Sequence, residues 1–138
     1  MRSWLTAQKT CEGFPLFLRR PADFDIDSLR PLYPALVVVT HEFAKLGPNG
    51  LPEGDYNEGL LEMDREVVAA FDGDRIGVPA LIETFGGKRH YYFYVSSEAG
   101  VPAAISAIAV RYPSERLSWE IRPDPEWRFI ESYSREHF

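Results

Sequence analysis

The stretch "VPALIETFGGKRHYYFYV", residues 78–95, holds the turn that decides the fold. Gly86-Gly87 accepts positive φ at both central positions of a tight primed turn, so 78–85 and 88–95 read as the strands of a hairpin. Alternation then splits the second strand. Tyr91, Phe93 and Val95 are the more apolar set and are expected under the helices. Lys88, His90, Tyr92 and Tyr94 face the other way, beside Leu81, Glu83 and Phe85.

Working outward, "DYNEGLLEMDREVVAAFDG" (55–73) changes period. Leu60, Met63, Val67 and Phe71 recur at spacings of three and four, with Leu61, Asp64 and Val68 alongside, so the segment reads as one amphipathic helix. Asp55 is its expected N-cap and Gly73 its C-terminal residue. The near-continuous β-branched run "PALVVVTHEF" (34–43) reads as a central strand covered on both faces. Downstream, "EAGVPAAISAIAVRY" (98–112) repeats the helical spacing from a Ser97 cap to Pro113, and "RLSWEIR" (116–122) alternates. That last pattern places Trp119 in phase with Leu117 and Ile121, hence in the core. "FPLFLRR" (14–20) is a short strand, and Pro15 and Pro21 suit an edge, because proline cannot donate to a ladder. A helical turn or more is expected from Asp124.

The resulting order is strand, helix, strand, strand, helix, strand. This predicts an α+β domain spanning 1–138, with a ferredoxin-like βαββαβ antiparallel sheet, an N-terminal edge strand and two helices on one face. The opposite face is then open unless the N-terminal strand or the tail (Trp127, Phe129, Tyr133) covers part of it.

Composition narrows the function. The 138 residues carry a net charge of −6, with 45% hydrophobic and 14% aromatic content. Such a chain folds and repels phosphate backbones at long range, which disfavours nucleic acid. Cys11 is the only cysteine, so no intramolecular disulfide forms. No signal peptide is expected, no apolar run reaches membrane-spanning length, and a cytoplasmic protein is expected.

The expected open face supplies the binding residues: Lys88, His90, Tyr92 and Tyr94, with Arg122 on the last strand. They suit a protein partner, a small ligand or a second copy of the chain. RNA-recognition modules share the element order and stack bases on a strand of comparable pattern. Here Arg89 replaces the required glycine, Tyr91 stands where a small residue belongs, and Glu83 and Glu120 would repel phosphates. A hydrolase or nuclease-like alternative would use His90 as a general base beside Glu83 or Glu120. The primary reading is a non-catalytic binding or regulatory domain.

Other chemistries lack their residues. Asp23, Asp25 and Asp27 begin like a calcium loop, but its sixth and twelfth positions are Ser28 and Pro34. His41-Glu42 has no second histidine at zinc-protease spacing, and His41, His90 and His137 are scattered. Gly87-Lys88 lacks the first glycine of a phosphate loop. No metal or cofactor is expected.

Four short motifs occur in order: Tyr33-Pro34 before a hydrophobic strand, Gly50-Leu51-Pro52 before an acidic helix, Gly87-Lys88-Arg89 entering a Tyr-rich strand, and Asp124-Pro125-Glu126-Trp127. With Trp4 near the start, the chain resembles the bacterial family labelled domain of unknown function 695 over nearly its whole length. It departs from the pattern after Trp127, where "RFIESYSREHF" has no closing aromatic-Pro. The family carries no established activity, so the resemblance transfers no catalytic residue. Some members are joined to a domain like the ribonuclease E inhibitor of the regulator-of-RNase type B. That implies a regulatory, protein-binding role, although 138 residues are expected to leave no room for the second domain.

Overall fold

The computed structural model describes residues 3–23, 25–47, 50–52, 54–73 and 76–137, with side chains in the last helix as far as Ser134. Eleven elements follow in the order β1 (Trp4–Cys11), β2 (Phe14–Pro21), α1 (Ile26–Leu29), β3 (Ala35–Glu42), α2 (Gly54–Gly59), α3 (Leu61–Ala70), β4 (Gly77–Phe85), β5 (Lys88–Val95), α4 (Val101–Arg111), β6 (Arg116–Pro123) and α5 (Arg128–His137). The strands form one sheet ordered β1-β2-β4-β5-β3-β6, and every pairing is antiparallel.

The β4–β5 hairpin closes on Gly86 (φ 60°) and Gly87 (φ 85°), a conformation that L side chains rarely adopt. Its register pairs Phe85 with Lys88, Glu83 with His90 and Leu81 with Tyr92. β3 pairs Val38 with Tyr92 on one side and with Glu120 on the other. The face assignments made from alternation therefore hold across β4, β5, β3 and β6.

The sheet differs from expectation at its N-terminal side. Two strands precede β3, not one, and the strand order changes accordingly. Phe14–Pro21 is not an edge strand; it lies between β1 and β4. Its pairing with β4 covers only Phe17, Leu18 and Arg19, so Pro15 and Pro21 fall outside that ladder. β1 is the true edge and folds back through Glu12 (φ 53°) and Gly13 (φ 83°), the dihedrals of a primed turn. Its polar run "WLTAQKTC" gave little alternation to read, because an edge strand buries little of itself.

The long helix expected over 55–73 is broken. Gly59 ends α2, Leu60 makes a turn, and α3 begins at Leu61 without a side-chain cap. Glycine destabilises a helix interior by roughly 0.5–1 kcal/mol relative to alanine, so the break falls where continuation is weakest. Asp55 lies inside α2 rather than capping the element. α4 likewise starts at Val101, after Gly100, three residues beyond the expected start.

α3 and α4 share one face of the sheet. There Met63, Val67 and Phe71 from α3 and Val101, Ile105 and Ile108 from α4 pack on Val37, Val39, Tyr91, Phe93 and Val95. The other face is not open. α1 and α5 lie over Leu36, Val38, Leu81 and Tyr94, with Trp127 and Ile130 buried among them. β2 extends this second core through Leu16 and Leu18. Arg30, just after α1, ties the two covering helices together through Glu131.

Trp119 corrects another expectation. It pairs with Val39 and so points to the α3–α4 face, yet it is 42% exposed. β6 is an outer strand, and α4 shields its Leu117 and Ile121 in part without reaching across Trp119.

Candidate functional site

On the face expected to be open, α5 has closed most of the surface. Asp124 begins the closure: its carboxylate accepts from Arg128 N (2.9 Å) and Phe129 N (3.1 Å), capping α5, and from the Tyr94 hydroxyl (2.7 Å). Trp127 then stacks on Tyr94, and its Nε1 donates to Tyr33 O at 2.8 Å. Tyr94 is thus fully buried and presents nothing to a ligand. Burial raises its hydroxyl pKa first, with the Asp124 carboxylate adding to the rise.

Tyr92 is half-covered. Phe129 stacks on it with ring centroids 4.4 Å apart. His90 sits beside Glu83, Nδ1 to Oε1 3.2 Å, so the structure brings that pair together. The other oxygen of Glu83 accepts from the Tyr133 hydroxyl. Glu120 pairs in register with Val38, which separates it from His90 by a strand and two residues of register. Lys88 lies 3.6 Å from Glu42. Arg122 lies over the Phe129 ring, 6.0 Å from its centroid, and lines a hollow of about 430 Å³ with Arg128 and Ser132. Of the expected binding residues, then, Lys88, His90, Tyr92 and Arg122 keep some accessible surface and Tyr94 does not.

The helix side holds a polar constellation that alternation alone did not bring together. Asp64, on α3, faces the sheet between arginines from two strands. Arg19 of β2 donates to both of its carboxylate oxygens, at 2.8 and 3.1 Å. Arg89 of β5 donates to Oδ1 at 3.2 Å, and the Tyr91 hydroxyl to the same oxygen at 2.7 Å. Burial pushes the Asp64 carboxyl up, but the Arg19 hydrogen bonds and charge, the Tyr91 hydroxyl and the Arg89 charge outweigh it. The group is held below the ordinary carboxylate value. Arg89 also donates Nε–H to Thr84 Oγ1 at 2.9 Å and lies over the Phe43 ring.

A second cluster adjoins it, because Arg89 pairs in register with His41. His41 is buried, and its Nε2 lies 2.7 Å from Glu115 Oε1. The Tyr56 hydroxyl donates to the same Glu115 oxygen and accepts from Ala44 N at 2.8 Å. Burial lowers the His41 pKa, against the pull of Glu115, so the neutral ring donates Nε2–H to the carboxylate. The side chain of His137 lies outside the described residues. Among those described, no three His, Cys, Asp or Glu side chains converge as a metal would need, and no helix is long and apolar enough to cross a membrane.

Arg19 and Arg89 line a cavity of about 370 Å³ with Thr84, Ile82, Leu51 and Pro52, and Asn57 of α2 at its edge. The loop at residues 50–52 is pinned onto the β4–β5 turn by Gly87 N, which donates to Gly50 O at 2.9 Å, and Phe43 N, just after β3, donates to Gly87 O at 3.0 Å. Leu46 packs so closely on Gly87 that an added Cβ would meet it at 3.2 Å. The Gly-Gly turn therefore sets both the hairpin and the wall of the cavity. Asp64 does not line it; it stands behind the two arginines and holds them. A signal for this site lay in the sequence, since Asp64 occupies the apolar stripe of its helix, and a carboxylate there requires a cation.

The chain belongs to a family of unknown function (DUF695), whose model matches residues 3–133. No curated protein and no solved structure matches it.

Proposed function

We propose that the chain is a non-catalytic binding domain, and that its ligand seat is the helix-side cavity between Arg19, Arg89 and the 50–52 loop. The observation that carries this reading is Asp64 fixing two arginines from separate strands in the cavity wall. A polar group held in place before the ligand arrives loses little freedom on binding, which favours affinity. The volume lies in the range of small-molecule seats, roughly 300–1,000 Å³. Catalysis fits less well. Asp64 is occupied by four hydrogen bonds and held well ionised, so it makes a poor general base. The ferredoxin-like arrangement is retained in this proposal for β4, β5, β3 and β6 with α3 and α4, the β1–β2 hairpin adding the cavity's outer wall.

A second reading places a protein contact on the residual sheet face at His90, Tyr92 and Arg122. It is favoured by the hollow between Arg122 and Arg128, two guanidinium groups that make no ion pair among the described residues.

Thermal-shift screening of small metabolites tests the first reading, since a ligand that binds only the native state raises the melting temperature. Leu51→Trp fills the cavity mouth from a half-exposed position. Shifts seen with the wild type and lost in Leu51→Trp support the seat; shifts that persist in the variant reject it.

A further inference from the structure

We infer that the cavity takes a small monocarboxylate, its head group on Arg19 and Arg89 and an apolar body against Leu51, Pro52 and Ile82. This rests on the reading of the cavity as a ligand seat. Charge decides the head group. Two guanidinium groups line the cavity and one carboxylate, Asp64, stands behind them. Among the described residues one positive charge is therefore left on the wall of a partly enclosed space, where an uncompensated charge is unfavourable. Glu115 is not part of the cavity wall: it bonds His41 and Tyr56, and none of the three lines the cavity.

Donor geometry agrees. A guanidinium carries five N–H donors. Arg19 spends two on Asp64, and Arg89 spends one on Asp64 and one on Thr84. The remaining donors of two arginines, fixed from behind, suit one planar carboxylate, which accepts paired N–H groups side by side. A compact dianion would overcompensate a single positive charge. Much of the remaining lining is apolar: Leu51, Pro52, Ile82, Phe17 and Leu18 all contribute to it. An apolar body on the acid buries that surface, which inorganic anions cannot do.

Calorimetric titration of the full chain with hexanoate, hexanamide and inorganic phosphate tests the inference. Hexanamide has the same shape without the charge. The expected result is hexanoate binding tighter than hexanamide by roughly tenfold or more, since hydrogen bonds to a charged acceptor are the stronger ones. The hexanoate signal should vanish in Leu51→Trp. Equal binding of acid and amide, still lost in Leu51→Trp, overturns the carboxylate assignment and leaves the ligand seat standing. Phosphate binding without hexanoate also overturns it, pointing to a compact anion. Binding of none of the three overturns it too, and the metabolite screen then separately decides whether the seat takes any ligand. Because no arm uses an arginine variant, no outcome depends on one folding.

Discussion

The Tyr94 ring and the Trp127 indole lie 4.1 Å apart, centroid to centroid, with 14° between their planes. This stack turns the aromatic strand from a surface into a core. Trp127 reaches it with φ at +55°, a left-handed conformation that costs a non-glycine residue roughly 1–2 kcal/mol. The strain is held by burial, by the bond to Tyr33 O and by the Asp124 turn that starts α5. Trp127→Ala is expected to destabilise the fold by about 3–5 kcal/mol, as for other large buried aromatics, and alanine gains no relief from the same dihedral. Urea denaturation measures it; a loss under 1 kcal/mol would mean that α5 does not depend on this anchor.

Trp119 gives the opposite expectation. It lies on the helix side of β6 but is 42% exposed. Trp119→Ala should cost less than Trp127→Ala, about 1–2 kcal/mol, because a large part of the ring stays in water on folding. The same denaturation experiment on both tryptophan variants separates the anchor from the edge residue.

Much of the fold could be read from local pattern. The Gly86-Gly87 turn, the alternation of Lys88–Val95 and the stripe from Leu60 to Phe71 each declare a period and a buried side. What could not be read depended on neighbours. Whether Tyr94 is surface or core is decided by a helix more than thirty residues later in the chain, and alternation says only which way a side chain points. Trp119 shows the reverse, since correct phase on an outer strand does not bring burial. The Asp64 constellation joins β2, α3 and β5, and only a cation-seeking carboxylate in an apolar stripe announced it. His90 and Glu83 were legible together because they are opposite each other across one hairpin.

His41 sets a pH dependence. Burial lowers its folded-state pKa below the unfolded value of about 6.5, although Glu115 and Asp64 pull the other way and Arg89 reinforces the fall. A depressed folded pKa means that the unfolded chain binds more protons as pH drops. The stability contribution is therefore present above about pH 6.5 and lost as pH falls through the folded value, at up to roughly 1.4 kcal/mol per pH unit. Stability of the wild type is expected to fall between pH 7 and 5 more steeply than that of His41→Gln, which keeps a donor for Glu115. Parallel slopes for the two proteins would show that His41 does not titrate differently on folding.

Asp64 is expected to support both the fold and the proposed seat. Removing its charge leaves Arg19 and Arg89 facing each other without the carboxylate that separates them. Asp64→Asn is expected to cost about 2–4 kcal/mol, at or below the range for breaking a buried ion pair, because the Asp64 side chain is 13% exposed. The loss should depend on pH in a defined direction. The folded pKa of Asp64 is depressed, so its contribution is complete above the unfolded carboxylate value of about 3.9 and disappears as pH falls through the folded value. The gap between wild type and Asp64→Asn should thus be constant near neutrality and narrow in strong acid. A double-mutant cycle with Arg19→Gln isolates the pair, and neighbours of this kind couple by roughly 0.5–3 kcal/mol. Additive losses in that cycle, together with a gap unchanged in acid, would mean that the Asp64–Arg19 contact stabilises neither the fold nor the arginines of the cavity wall.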